Sequence, residues 1–326
     1  MSPHRRAAAG DDATTDSALA ANVVDVRRFS THDGRGIRTT IFLKGCPLAC
    51  SWCQNPEAIA PRIRPVFFRS RCIDCGLCLG ECAAGAATRD ADGKVRIDTT
   101  VVGTDWEVLS AGCPSGAITF DARRYTVAEL VGLVERDRVF FGGGGGGVTL
   151  SGGEPLFLPR FATALLRALK RAGLDTAVET ALDVRPGALA TALPWTDHLL
   201  ADCKLIDADE HRRHTGRPNR QILANLAGLL TGDRRADVIV RTPLIPGVTA
   251  TPGNIAGIAR FISGLYPEVR YELLNYNPLA AAKYDLLPGA AYLFPAGGNP
   301  PMFTRDQLAG FGAIARAAGV RNLVAA

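Results

Sequence analysis

Cys46, Cys50 and Cys53 stand in the spacing Cys-x3-Cys-x2-Cys, directly after the strand-like run IRTTIFLK at 37–44. No other feature constrains the chain as much, because three thiolates on one short loop are a metal-binding device. They can hold three irons of a 4Fe–4S cube and leave the fourth open, a position where a substrate can chelate. A zinc loop or buried free cysteines are the competing readings. Structural zinc, however, takes four protein ligands, and no fourth Cys or His lies nearby in the sequence.

Eight of the nine cysteines fall between Cys46 and Cys113. The first twenty residues lack an apolar core of the secretory kind, and no apolar run reaches the ~18–20 residues of a membrane span. A cytoplasmic chain is expected, where disulfides are rare and short Cys spacings point to metal. The formal charge of +5, from 37 Lys+Arg against 32 Asp+Glu, is too mild to argue for nucleic acid. Neither a membrane nor a nucleic acid is an expected partner. With 47% apolar and 21% charged residues in 326, the chain reads as an ordinary globule of one or two domains.

A second run, Cys72-x2-Cys75-x2-Cys78-x3-Cys82, has the spacing of a bacterial ferredoxin. In two-cluster ferredoxins the last Cys of each run serves the other cluster. Cys113-Pro114 ends a degenerate second run, in which Gly103, Trp106 and Leu109 stand where thiolates are needed. One auxiliary cluster is therefore expected, on Cys72, Cys75, Cys78 and Cys113, with Cys82 stranded. Local closure by Cys82, or a zinc knuckle, is the alternative.

From about Thr126, apolar strand-like runs alternate with helical stretches, which argues for a parallel sheet with crossover helices. Six such units suit an incomplete βα barrel, and a flat doubly wound sheet shows the same alternation. The expected organisation is a disordered tail over 1–21, the α/β unit over 22–60 and 122–326, and a Cys-dense insert over 61–121. Gly142–Gly147 lacks the Lys-Ser/Thr of a phosphate loop and reads as a flexible loop. Asp202 and Lys204 alternate along a strand and so share a face. Cys203 between them reads as a small buried hydrophobe.

The motifs resemble, in order, those of the glycyl radical enzyme activating enzymes in the radical S-adenosylmethionine (SAM) superfamily, of which pyruvate formate-lyase activating enzyme is the best-known member. The resemblance runs through Asp33-Gly34-Arg35-Gly36-Ile37-Arg38, Phe42-Leu43-Lys44-Gly45-Cys46-Pro47-Leu48 and Cys53-Gln54-Asn55-Pro56-Glu57. It continues through Ser151-Gly152-Gly153-Glu154-Pro155, Asp202-Cys203-Lys204 and Arg241-Thr242-Pro243-Leu244-Ile245-Pro246-Gly247. It implies a partial (β/α)6 barrel with a ferredoxin-like insert, a SAM-binding 4Fe–4S cluster on Cys46, Cys50 and Cys53, and hydrogen abstraction from a glycine of a partner enzyme. By the same resemblance Trp52, Cys53, Gln54 and Asn277 meet the adenosyl part of SAM, and Gly153 and Glu154 receive the methionine amino group, with Gly152 letting the backbone come close to the ligand. Asp202 and Lys204 lie against SAM, Arg241 reads its carboxylate or ribose, and Glu179 and Thr180 help hold a monovalent cation. A flavodoxin or ferredoxin-type protein is the implied electron donor.

Four positions depart from the family pattern. Arg35 stands for the usual Pro, Gln54 for His, Ala181-Leu182 for a small polar residue and Gly, and Asn277 for His. None touches cluster ligation. His198, His211 and His214 read as exposed or capping residues, and His32 as a neighbour of the partner's loop. A radical SAM enzyme acting on a small molecule or peptide, and an electron carrier, are the other functions weighed. A carrier has no use for an open iron.

Overall fold

The computed structural model describes residues 15–82, 85–142, 145–294 and 298–324. Its strands are β1 (Ala20–Ser30), β2 (Arg38–Leu43), β3 (Pro65–Phe67), β4 (Ala87–Arg89), β5 (Val95–Ile97), β6 (Ile118–Phe120) and β7 (Arg123–Thr126), followed by β8 (Gly147–Gly152), β9 (Asp175–Thr180), β10 (His198–Asp202), β11 (Val238–Pro243), β12 (Arg270–Leu274) and β13 (Asn322–Val324). Nine of them form one sheet in the order β13-β12-β11-β10-β9-β8-β2-β1-β7. From β2 to β13 every neighbouring pair is parallel, while β1 pairs antiparallel with both β2 and β7.

The order of the parallel strands rises along the sequence without reversal. A doubly wound sheet reverses at a switch point, so the winding is that of a βα barrel. The two edge strands β7 and β13 are not paired with each other, so the sheet is open among the described residues.

All six residues of β2 are buried, as expected of a parallel strand covered on both faces. They include Arg38, a side chain that no apolar pattern would place in a core. Its guanidinium donates to Thr149 Oγ1 at 2.7 Å, Asp175 Oδ1 at 2.8 Å and the Val148 carbonyl at 2.8 Å, tying β2 to β8 and β9. Crossover helices obey simple rules. Helix Pro159–Arg171 opens on Pro, buries Phe161, Leu165, Leu166 and Leu169 on one face, and ends on Lys170-Arg171.

Residues 61–121 stay out of the main sheet. They form two small antiparallel sheets, β3 with β6 and β4 with β5, and the short helices Cys78–Glu81 and Trp106–Gly112. Several expectations need correction. β1 starts at Ala20 and a helical turn covers 15–18, inside the span expected as tail, while residues 1–14 lie outside the described residues. The edge strands β7 and β13 were not expected, since three or four residues carry no periodicity. The helical stretch 209–230 is two helices, Ala208–Thr215 and Arg220–Thr231, broken at Gly216 with φ +80°. His211 is buried, with Nδ1 2.6 Å from the Arg217 carbonyl, and burial depresses its pKa. The glycine-run reading falls partly on 143 and 144, outside the described residues.

Candidate active site

A cavity of about 490 Å³ opens at the C-terminal ends of β2, β8, β9, β10, β11 and β12, the end at which βα barrels build their sites. Cys46, Cys50 and Cys53 line it together, and among the described residues no other cysteine and no histidine does. That donor set fits a cube with one iron open. Burial pushes all three thiols up, Cys53 to about 12, so proton release must accompany metal binding.

Backbone bonds shape the cysteine loop from three distant segments. Gly45 and Cys46 donate to the carbonyls of Ala58 and Ile59, and Ala49 and Ser51 to those of Thr215 and His214. The segment after β12 closes over it: Gln54 Nε2 donates to the Asn277 carbonyl at 3.0 Å, Tyr284 Oη to the Cys53 carbonyl at 3.1 Å, and Leu293 N–H to the Ser51 carbonyl at 2.7 Å. Trp52 is buried against Leu205, Ile245 and Tyr276 while also lining the cavity.

Gly152 and Gly153 form a floor where no side chain fits. Gly152 has φ +105°, and a Cβ there meets Leu43 N and O at 2.5 Å; at Gly153 it meets the Gly45 carbonyl oxygen at 2.4 Å. Gly152→Ala is expected to destabilise the chain by at least about 1–3 kcal/mol from backbone strain alone, read as a lowered midpoint in thermal or denaturant unfolding.

Asp202 and Lys204 meet as a salt bridge beside the cysteines. Lys204 lies two residues past Asp202, just beyond the end of β10. Burial works against the ammonium, but Asp202 and the nearby Cys50 and Cys46 raise its pKa overall. The second Asp202 oxygen, Oδ1, is buried with no hydrogen-bond partner, an acceptor aimed at something the protein does not supply.

Other expected site residues sit differently. Glu154 does not line the cavity. Its carboxylate accepts from Thr180 Oγ1 at 2.9 Å, Ala181 N–H at 2.9 Å and Leu156 N–H at 3.1 Å, and burial lifts its pKa to about 7. It braces the turn below Gly153. Arg241 is likewise behind the wall, bonded to Glu179 at 2.9 Å and 3.1 Å from Glu272. Glu179, which does line the cavity, also accepts from Ser151 Oγ at 2.5 Å. Cys203 is buried and outside the lining. Asn277 lines the cavity but spends Oδ1 on capping the turn at Leu279 N. His32 is exposed and its neighbour Asp33 lines the cavity instead. Lys283, also in the lining, bonds Asn55 and Glu57 at 3.0 and 2.6 Å; no sequence pattern marked it.

A second cavity, about 360 Å³, lies within residues 61–121 and is lined by Cys72, Cys75, Cys78 and Cys113. Cys82 is not in its wall. Cys113 is held by the N–H groups of Ile118, Ala117 and Ser115 and by the Ser115 hydroxyl; against the opposing effect of burial, these draw its pKa below the ordinary value.

Residues 40–254 match the radical SAM superfamily, and the chain belongs to it. A radical SAM methyltransferase from Sphaerobacter thermophilus shares the fold, with a TM-score of 0.52 over 94% of this chain and 77% of that one, at 16% identity. Within the superfamily, the chain is one of the activating enzymes of glycyl radical enzymes. It is 40% identical to the isethionate sulfite-lyase activating enzyme of Nitratidesulfovibrio vulgaris, over 81% of this chain and 86% of that protein. It is 37% identical to the indoleacetate decarboxylase activating enzyme of Tractidigestivibacter scatoligenes, over 86% and 90%. The choline trimethylamine-lyase activating enzyme of Oleidesulfovibrio alaskensis is 33% identical, over 88% and 92%. Among the described residues no helix is long and apolar enough to cross a membrane.

Proposed function

We propose that this chain installs a glycyl radical on a separate enzyme, working as a partial (β/α)6 barrel over 22–60 and 122–326 with a ferredoxin-like insert over 61–121. The observation that carries the reading is a single cavity that joins three cysteines to the Asp202–Lys204 pair. Cys46, Cys50 and Cys53 would hold the 4Fe–4S cluster. When bound, the cluster and SAM supply a one-electron cleavage and, from it, the radical that takes a hydrogen from the partner's glycine.

The chain's own residues bind and orient. Trp52, Gln54 and Asn277 flank the adenosyl end, and the apolar indole face suits a purine. Gly152 and Gly153 let the backbone approach the methionine end, braced by Glu154 and Thr180. Asp202 offers its free oxygen to the cationic part of SAM while Lys204 holds the carboxylate in place. Arg241 acts by fixing Glu179. A monovalent cation belongs beside Asp202, whose Oδ1 is unpartnered, with Glu179 and Thr180 next to it in the cavity wall. Cys72, Cys75, Cys78 and Cys113 would hold an auxiliary 4Fe–4S cluster, and a flavodoxin or ferredoxin-type protein would deliver electrons in a reducing cytoplasm.

The test is anaerobic: the reconstituted chain with SAM and dithionite should form 5′-deoxyadenosine. With isethionate sulfite-lyase as the first probe, it should also produce the doublet of a glycyl radical in paramagnetic resonance. Deoxyadenosine without any protein radical, but with modification of a small molecule, would favour the small-molecule reading. Asp202→Asn is expected to weaken SAM binding roughly ten- to hundredfold and also to lower the melting temperature, because it leaves the part-buried Lys204 ammonium without its carboxylate. Unaltered affinity in equilibrium titration would make the pair purely structural.

A further inference from the structure

We propose that Lys44 is a positioning residue whose buried ion pair with Asp121 fixes the four-cysteine cavity of the insert relative to the three-cysteine loop. Only the spectroscopic arm of its test rests on the two-cluster reading above. Lys44 follows β2 and stands two positions before Cys46. Its side chain is 0% exposed and that of Asp121 is 2% exposed. The ammonium donates to Asp121 Oδ2 at 2.8 Å and to the backbone carbonyl of Glu57, on the turn that closes the cysteine loop.

Asp121 comes directly after β6, and Arg64 directly before β3. The Asp121 carboxylate accepts from Arg64 N–H at 2.8 Å and Arg64 Nε at 3.2 Å, and the Asp121 N–H donates to the Arg64 carbonyl at 2.9 Å. One carboxylate thus closes the neck of the insert where the chain leaves and where it returns. The Lys44 ammonium bolts that neck to the loop of Cys46. From Asp121 the chain runs back along β6 to Cys113, so a continuous bonded path joins the two cysteine sites.

Apolar contacts alone could hold the two units together, but they tolerate sliding. A buried pair with directional bonds to Asp121, Glu57 and Arg64 is satisfied in one geometry and costly in any other. Adhesion therefore does not require this arrangement, whereas a fixed separation does.

The test uses Lys44→Met, Asp121→Leu and the double variant in the reconstituted full-length chain. Asp121→Leu strands the buried Lys44 ammonium, and Lys44→Met leaves the buried Asp121 carboxylate only its longer contact to the part-exposed Arg64. In both the melting temperature should fall, more in Asp121→Leu, and amide exchange at Gly45 should rise at least about tenfold. The double variant removes both charges and should regain the melting temperature. Exchange at Gly45, whose own acceptor is the untouched Ala58 carbonyl, should stay fast, and the magnetic interaction between the two reduced clusters should stay altered. That split between stability and geometry is the expected result. A double variant that restores all three readouts overturns the proposal, as do single variants that change neither exchange nor coupling. A wild-type chain with only about four irons, one cube's worth, would defeat the two-cluster reading and leave the exchange result to decide for Lys44.

Discussion

Replacing Cys46, Cys50 and Cys53 together with alanine is expected to abolish 5′-deoxyadenosine formation from SAM while the iron of the insert remains. Among the described residues the three thiols line the cavity without any other cysteine or any histidine, so no second set of thiolates or imidazoles stands there to replace them. The second set of cysteines lies in a separate cavity within residues 61–121 and should assemble independently. The measurement is a product assay under dithionite, paired with iron analysis of the same sample. Persistent deoxyadenosine would mean that SAM is cleaved elsewhere, and the activase reading would fall with it.

Single cysteine variants of the insert should divide just as sharply. The reconstituted chain is expected to carry about eight irons, four for each of two cubes. Cys113→Ala should reduce this towards four, and Cys82→Ala should leave it unchanged. The reason is spatial. Cys113 lines one cavity together with Cys72, Cys75 and Cys78, whereas Cys82 ends the helix Cys78–Glu81 and lies outside that wall. The reverse pair of outcomes would mean that Cys82 closes the cube locally. About twelve irons would defeat both arrangements.

Much of the fold was legible because its long elements are periodic. The alternation after Thr126 anticipates β8 to β12 and their crossover helices, since buried parallel strands and amphipathic helices leave different apolar spacings. The edge strands escaped because short segments at a sheet margin have no alternation to read. Arg38 escaped for another reason: a guanidinium enters a core only when specific acceptors, here Thr149, Asp175 and the Val148 carbonyl, lie far away in sequence. The cysteine loop and the Asp202–Lys204 pair were visible as local motifs. Which members of a motif face the cavity was not. Glu154 and Arg241 carry the residue types that suit a ligand, yet both are consumed by neighbouring protein groups. Asp33 and Lys283 reach the cavity through tertiary placement alone.

The bonds around the three cysteines also set an order of events in biosynthesis. The loop itself lies early in the chain, but its backbone is held by carbonyls of His214 and Thr215 and by Tyr284 and Leu293. These groups emerge from the ribosome long after Cys53. Contacts so distant in sequence form late in folding, and chains generally fold as they are made, from the N-terminus onward. The loop therefore spends most of synthesis unclosed, with its thiols open to stray metals and oxidants. The finished enclosure around the thiols thus comes only with a nearly complete chain, so the youngest part of the protein completes the mould for its oldest motif.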